Sequence, residues 1–164
     1  MLDLMDGVVA AVRAAGVRRI TLVTSDDVAH PGAETWLDGD LPWNDALARA
    51  ADAVVTEEVV AVISADLPAL QPSDVGSLLE RTPRRGIAIA RAYDGGTNAV
   101  SLRPPGVMPT LFGAPASATL HAEAARARGL DHVVIDLPGL AFDVDTPEDL
   151  ARMRAGPGGA RDAA

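Results

Sequence analysis

Cysteine and lysine are both absent from this chain of 164 residues, and aromatic side chains make up only 3% of it. Without cysteine there is neither a disulfide framework nor a thiolate zinc site. The three histidines, His30, His121 and His132, are scattered without zinc-ligand spacing. Without lysine every basic side chain is an arginine, and the formal net charge of −9 leaves no positive field to attract nucleic acid. No apolar run reaches the length of about eighteen residues that a membrane span needs, and the N-terminus lacks the basic region of a secretory signal. The expectation is a cytoplasmic protein with neither nucleic-acid nor membrane partners. What the chain does have is aliphatic: hydrophobic residues make up 48%, enough for one well-filled core of Ala, Val and Leu and too few residues in all for two comfortable domains.

Apolar spacing predicts a helix over 3–15 stopped by Gly16, then a strand over 18–24. Residues 25–42, rich in Pro, Gly and polar turn formers, read as a long loop. A helix over 44–53, a strand over 58–64 and a helix over 73–81 follow. GIAIARAY at 86–93 and NAVSLR at 98–103 read as strands joined by the DGGT turn. A helix over 116–128 is stopped by Gly129, and HVVIDL at 132–137 is a strand. In TPEDLARM, Thr146 is placed to cap the last helix, Pro147 suits its first position, and Asp149 completes a capping box. Alternating strands and helices predict an α/β fold, a three-layer sandwich with a mostly parallel sheet. Residues 1–155 form the domain and 156–164 read as a disordered tail.

Two segments carry chemistry: ISADLPAL at 63–70 and AFDVDTPEDL at 141–150. Each places aspartate where an apolar run meets a helix start. In α/β folds ligands bind outside the carboxyl ends of the strands, so Asp66, Asp143 and Asp145 are candidates to share one divalent cation. Side chains at i and i+2 of an extended segment lie on one face, which lets Asp143 and Asp145 point together while Phe142 and Val144 pack inward. Magnesium takes few protein carboxylates and keeps positions for water and phosphate oxygens, so the trio suits a metal-nucleotide site. Either motif alone reads first as a turn cap or a solvated loop residue; their pairing at two strand ends favours function.

VVAVISADLPALQPSDV, DGGTNAVSLRPP, LFGAPAS and LPGLAFDVDTPEDL, in that order, resemble the guanylyltransferases of deazaflavin-coenzyme (coenzyme F-420) biosynthesis, called CofC in archaea and FbiD in actinobacteria. The resemblance runs from about Arg18 to Met153. It implies the nucleotide-diphosphosugar transferase fold, shared with the molybdopterin guanylyltransferases. It also implies a reaction in which GTP, with Mg²⁺ or Mn²⁺, is joined to phosphoenolpyruvate or 2-phospholactate with release of pyrophosphate. By the same resemblance, Asp66, Asp143 and Asp145 are the catalytic metal ligands, while Thr97 in the GGTNA turn with Gly96, Gly113 and Ser117 contact the acceptor acid. Ser117 matches imperfectly, because FGAPAS has three residues between FG and serine where the family has two. Asn44 in LPWNDAL resembles a nucleotide-binding segment, a helix cap being the plain alternative. Arg91 and Arg103, taken to flank the GGT turn, are second-tier partners for the acid's anionic groups, and Trp36 and Trp43 either stack on a base or seal the long loop.

The chemistry implied needs no proton relay, so no histidine is expected in the site. The GGT turn suits close approach of backbone N–H groups to an anion, and the helix after Ser117 presents its N-terminus to one. The product, a reactive diphosphate ester, implies a downstream transferase as partner. The family's opening strand and its nucleotide loop, PVK followed by AKSRL, have no counterpart here. Met1 falls inside what resembles the next helix, so the fold is expected to be N-terminally incomplete, with a misassigned start codon the favoured cause. The strands at 18–24 and 58–64 must then pair directly or leave backbone groups unsatisfied. Two alternatives stand beside this reading: a molybdopterin nucleotidyltransferase, and a catalytically silent homologue that binds metal or a partner.

Overall fold

Ile87 and Ile89 point to one face of a strand, and Ala88 and Ala90 to the other, all four fully buried. A strand covered on both faces sits in the middle of a layered α/β protein. The computed structural model describes residues 2–155 and has that architecture. Met1 and the segment 156–164, read above as a disordered tail, lie outside the described residues.

The elements are α1 (Leu2–Ala14), β1 (Thr21–Thr24), β2 (Glu34–Leu37), α2 (Trp43–Asp52), β3 (Val60–Ile63), α3 (Pro72–Glu80), β4 (Gly86–Arg91), β5 (Thr97–Arg103), α4 (Ser117–Ala127), β6 (Asp131–Ile135), α5 (Pro138–Ala141) and α6 (Pro147–Ala155). The larger sheet has the order β3-β5-β4-β6. β5 is antiparallel to both β3 and β4, whereas β4 and β6 are parallel. β3, β4 and β6 therefore run the same way and β5 alone is reversed. On one face Val8, Ala11 and Val12 of α1 and Val75 and Leu78 of α3 pack against Ala88, Ala90, Ala99 and Ile135. On the other, Leu47 of α2 and Ala118, Ala122 and Ala125 of α4 pack against Ile87, Ile89, Val100 and Leu102. These are the three expected layers. Small residues on one face of β4 and large ones on the other let helices of different bulk approach the same strand.

The long loop holds a strand that the sequence pattern did not predict. β2 pairs in parallel with β1, from Thr21 opposite Glu34 to Thr24 opposite Leu37. Parallel neighbours ordinarily require a helical crossover of a dozen or more residues; here residues 25–33 make the return as a short loop, in which the Thr35 hydroxyl is held by the Val28 carbonyl. β1 and β3 do not pair with each other. Of the two outcomes expected for these strands, the second holds: each has a ladder on one side only among the described residues.

Because β3, β4 and β6 share a direction, their carboxyl ends and the start of β5 meet at one edge of the sheet. Onto that edge come Asp66, the turn 94–97 and the segment 136–145. A short helix, α5, opens that last segment where an irregular stretch was expected. Gly139 fixes its position, since a Cβ there would fall 2.0 Å from Asp74 Oδ2 and 2.8 Å from the Ala69 carbonyl. Asp74 in turn accepts the Gln71 N–H at the start of α3 (3.0 Å). At the end of the segment the expected capping box forms: Thr146 N–H donates to Asp149 Oδ2 (3.1 Å) and Asp149 N–H to Thr146 Oγ1 (3.1 Å).

Candidate active site

Asp66 follows β3, and Asp143 lies in an extended stretch between α5 and α6. A backbone hydrogen bond from Val144 N–H to the Asp66 carbonyl, 3.1 Å long, ties the two stretches together. Asp66 and Asp143 are half-buried and Asp145 is exposed. Burial raises the pKa of Asp66 above the ordinary carboxylate value; its own backbone amide works against the rise, and the charges of Asp143 and Asp145 add to it. Asp143 is raised too, by burial first and then by the neighbouring Asp145 and Asp94. The carboxylates brought together by the fold thus destabilise one another. Asp66 Oδ1 is buried without a hydrogen-bond partner among the described residues.

The donor set suits a hard divalent cation: carboxylate oxygens only, one of them buried with no partner of its own. In this arrangement no group of three or more His, Asp or Glu side chains among the described residues stands ready to enclose an ion. The site is an open set of acids rather than a closed cage.

Asn98 belongs to this set and was not singled out from the sequence. It is 3% exposed, and its amide lies close enough to the Asp143 carboxylate to oppose the rise in that group's pKa, yet Nδ2 completes no hydrogen bond of normal geometry. A β-bulge explains its position. Ala90 pairs with Ala99 but Arg91 pairs with Thr97, so Asn98 is the extra residue. Bulges re-aim side chains beside functional sites. Here the bulge breaks the alternation of β5: Ala99 faces α1 and α3, while Thr97 bonds to α4. An amide side chain next to the apolar Ala99 and Val100 was the signal available in the sequence.

The acceptor candidates lie on the α4 side of the same edge. In the turn, Gly95 has φ +89°, a conformation that favours glycine, and Gly96 N–H donates to Asp94 Oδ1 (2.7 Å). Thr97 is buried, with Ser117 Oγ donating to its Oγ1 at 2.9 Å. Gly113 is exposed with φ +78°. The first amides of α4 are already engaged: Ser117 N–H reaches the Ala114 carbonyl (3.1 Å) and Ala118 N–H the Gly95 carbonyl (3.4 Å). The expected open helix N-terminus is therefore closed by its own loop, through Ala116 in the left-handed region at φ 54°.

Asn44 neither caps α2, whose N-cap is Pro42, nor faces an open site. Its amide is spent on Phe112 and Thr110. Arg91 stands at the edge but is engaged by Asp136 in a two-pronged ion pair at 3.0 and 2.9 Å. Arg103 does not flank the turn. It ends β5 at the far edge of the sheet, 3.6 Å from Glu58, because a seven-residue strand separates it from Thr97. Trp36 lies on β2, half-buried, and Trp43 begins α2, 46% exposed. A concavity of about 580 Å³ opens beside the turn, lined by Arg91, Tyr93, Gly95, Asp136 and Pro138 among others; it adjoins the acidic set without containing it. No helix among the described residues is long and apolar enough to cross a membrane.

Comparison with known proteins bears on the family and the fold. The chain is 38% identical over 166 residues to the phosphoenolpyruvate guanylyltransferase of Rubrobacter xylanophilus, covering 96% of this chain and 80% of the relative. It is 33% identical to the 3-phospho-D-glycerate guanylyltransferase of Phenylobacterium zucineum (99% and 78%) and 35% identical to the 2-phospho-L-lactate guanylyltransferase of Methanothermobacter thermautotrophicus (92% and 69%). Among solved structures, a nucleotide-diphospho-sugar transferase from Desulfovibrio desulfuricans superposes with a TM-score of 0.74 at 16% identity (98% and 76%). A Mycobacterium tuberculosis protein crystallised in complex with manganese superposes at 0.57 and 19% (92% and 84%). The family model described as guanylyl transferase CofC like matches residues 1–158, and the chain belongs to that family.

Proposed function

We propose that this protein transfers GMP from GTP to a small phosphorylated three-carbon acid, phosphoenolpyruvate or 2-phospholactate, and releases pyrophosphate. The observation that carries the reading is the meeting of Asp66 with Asp143 at the carboxyl edge of the sheet, through Val144 N–H and the Asp66 carbonyl, in a chain of the CofC-like family. Phosphoenolpyruvate is the first choice, in line with the name of the Rubrobacter relative. The Phenylobacterium relative's name adds 3-phosphoglycerate as an acid to be tested.

In the reaction a phosphate oxygen of the acid forms a bond to the α-phosphorus of GTP, and the bond from that phosphorus to the bridging oxygen breaks as pyrophosphate leaves. Asp66, Asp143 and Asp145 would hold Mg²⁺ or Mn²⁺, which when bound neutralises charge on the entering and leaving oxygens. Asn98 lies beside Asp143 on the buried side, where its amide favours the ionised carboxylate. Gly96, Thr97, Gly113 and Ser117 shape the place of the acid, and the left-handed backbone at Gly113 exposes its peptide groups to it. Proton transfer is not required, since the attacking phosphate oxygen is already ionised at neutral pH. A cytoplasmic setting, where GTP and phosphorylated acids are present, and a downstream transferase that consumes the reactive diphosphate ester complete the reading.

The test is pyrophosphate release from GTP by the purified protein, with phosphoenolpyruvate, 2-phospholactate and 3-phosphoglycerate supplied in turn, and with Mg²⁺, Mn²⁺ or excess EDTA. Turnover should require both an acid and a divalent ion, with the GMP-acid product identified by mass. No turnover with any of the three acids would overturn the assignment.

A further inference from the structure

The loop between β5 and α4, which carries Gly113 and leads into Ser117, is held from beneath by side chains of two helices. From α2, Asn44 Oδ1 accepts Phe112 N–H (2.9 Å) and the Thr110 hydroxyl (3.0 Å), while Nδ2 donates to the Phe112 carbonyl (3.0 Å). The amide thus pairs with Phe112 as a neighbouring strand would. From α4, His121 has no exposed surface at all. Its Nε2 accepts the Leu111 N–H at 2.8 Å, and its Nδ1 lies 2.8 Å from the Ser117 carbonyl and 3.2 Å from Thr97 Oγ1. The ring also meets Phe112 edge-on, with centroids 5.6 Å apart.

Backbone partners fix the tautomer of this ring. An amide N–H can only donate, so Nε2 carries a lone pair; a carbonyl can only accept, so Nδ1 carries the hydrogen. Burial works in the same direction, lowering the histidine's pKa and keeping the ring neutral. A protonated ring would set an N–H against the Leu111 N–H. The consequence passes to Thr97. Its oxygen receives the Ser117 hydroxyl (2.9 Å) and faces Nδ1–H, so its own hydrogen is the one donor of the network without an acceptor among the described residues. That hydroxyl is left as a donor, the polarity an anionic oxygen requires.

We infer that His121 is a positioning residue for the acid-binding half of the site: it locks the 110–117 loop through Leu111 and leaves the Thr97 hydroxyl free to donate. This rests on the guanylyl-transfer reading for the identity of the anion, but the locking of the loop does not. His121 touches neither the acidic set nor the nucleotide in this account. Its loss should therefore fall on the acid and leave GTP alone.

The experiment compares His121→Phe, which keeps a ring but removes both nitrogens, with His121→Gln, whose amide oxygen can still accept the Leu111 N–H and whose NH₂ can still donate. Steady-state kinetics with phosphoenolpyruvate and GTP should show the KM for the acid raised about tenfold or more in His121→Phe, the loss expected when one buried N–H is left unpaired. The KM for GTP should stay within about twofold, and His121→Gln should recover most of the acid KM. An unchanged acid KM in His121→Phe overturns the proposal, as does an equal rise for acid and GTP that Gln does not relieve. Amide hydrogen exchange separates this from the functional reading. If the wild type turns over no acid, the function assignment falls, and the locking is judged by exchange at Leu111 and Phe112: faster in His121→Phe and near wild type in His121→Gln supports it, and equal rates in all three proteins overturn it.

Discussion

Two clusters of polar side chains flank the 94–97 turn, and they are built on opposite terms. On the α4 side, Thr97, Ser117, His121 and Asn44 form a neutral network whose members are bonded to one another or to loop backbone. On the other side, Asp66, Asp143, Asp145 and Asn98 repel or miss one another: two carboxyl pKa values are raised, and Asp66 Oδ1 and Asn98 Nδ2 are buried without partners. A satisfied network stiffens what it holds. An unsatisfied one stores a cost that an incoming cation can relieve. On the guanylyl-transfer reading proposed here, the α4 side supplies shape and the acidic side charge.

The sharpest way to break this comparison is to remove charge from the acidic side. Asp143→Asn or Asp66→Asn should lower pyrophosphate release by about 10²–10³-fold, the scale of losing one preorganised electrostatic group. Metal-free melting temperature should hold or rise, because each substitution removes a carboxylate whose ionisation the fold disfavours. A variant that melts well below wild type while keeping its turnover would show the aspartates to be structural.

On the α4 side the effects should reverse, with stability lost. Asn44→Ala leaves the Phe112 N–H and carbonyl and the Thr110 hydroxyl without their partner, a cost of about 1–3 kcal/mol, measured by urea unfolding. Since Asn44 holds the loop that carries Gly113, acid binding should be affected more than GTP binding. Unfolding free energies within 0.5 kcal/mol of wild type, roughly the scatter of surface changes, would show that water replaces the amide without loss.

The two sides also titrate in opposite senses. His121 has its folded pKa lowered from the ordinary 6.5, so the unfolded chain binds more protons below that value and stability falls as pH drops beneath about 6.5. Asp66 and Asp143 have folded pKa values raised above 3.8. There the folded state binds more protons, and stability increases as pH falls through the window just above 3.8. Metal-free wild type minus His121→Gln isolates the first contribution, and it should shrink steadily from neutral pH to pH 5. A difference independent of pH would mean that the ring is not held neutral.

Part of the acidic side was legible in the sequence, because it depends on local rules: Asp66 just past the apolar strand β3, and a capping box at Thr146 and Asp149; Asp143 instead follows α5, and among the described residues the three aspartates do not close into one group around an ion. The α4 side was not. Asn44 and Phe112 are 68 residues apart, and no spacing rule links them, so Asn44 was read as a nucleotide contact or a cap. His121 stands four residues after Ser117, one helical turn along the same face, which was a usable signal passed over because the chemistry called for no histidine. β2 was hidden in a segment rich in Pro and Gly, where short-range composition outweighed the long-range pairing with β1. Arg103 was misplaced by treating a turn as short-armed: β5 carries it the full length of the strand away from Thr97.

Arg91 tests where the two sides meet, and the smallest effect is expected there. Its guanidinium is exposed and already paired with Asp136, and exposed ion pairs contribute about 0–1 kcal/mol. Arg91→Gln should therefore shift stability by no more than that. If the acid's anionic groups use this arginine, they must take it from Asp136, and the two substitutions should diverge. Arg91→Gln should raise the acid KM a few-fold, and Asp136→Asn, which frees the guanidinium, should lower it or leave it unchanged. If instead the pair serves only to clip β4 to the end of β6, both substitutions should act alike: a small loss of stability, no change in either KM, and no dependence of the difference on which partner is removed. Parallel behaviour would confine acid binding to the turn and the 110–117 loop, leaving the concavity beside Tyr93 outside the reaction.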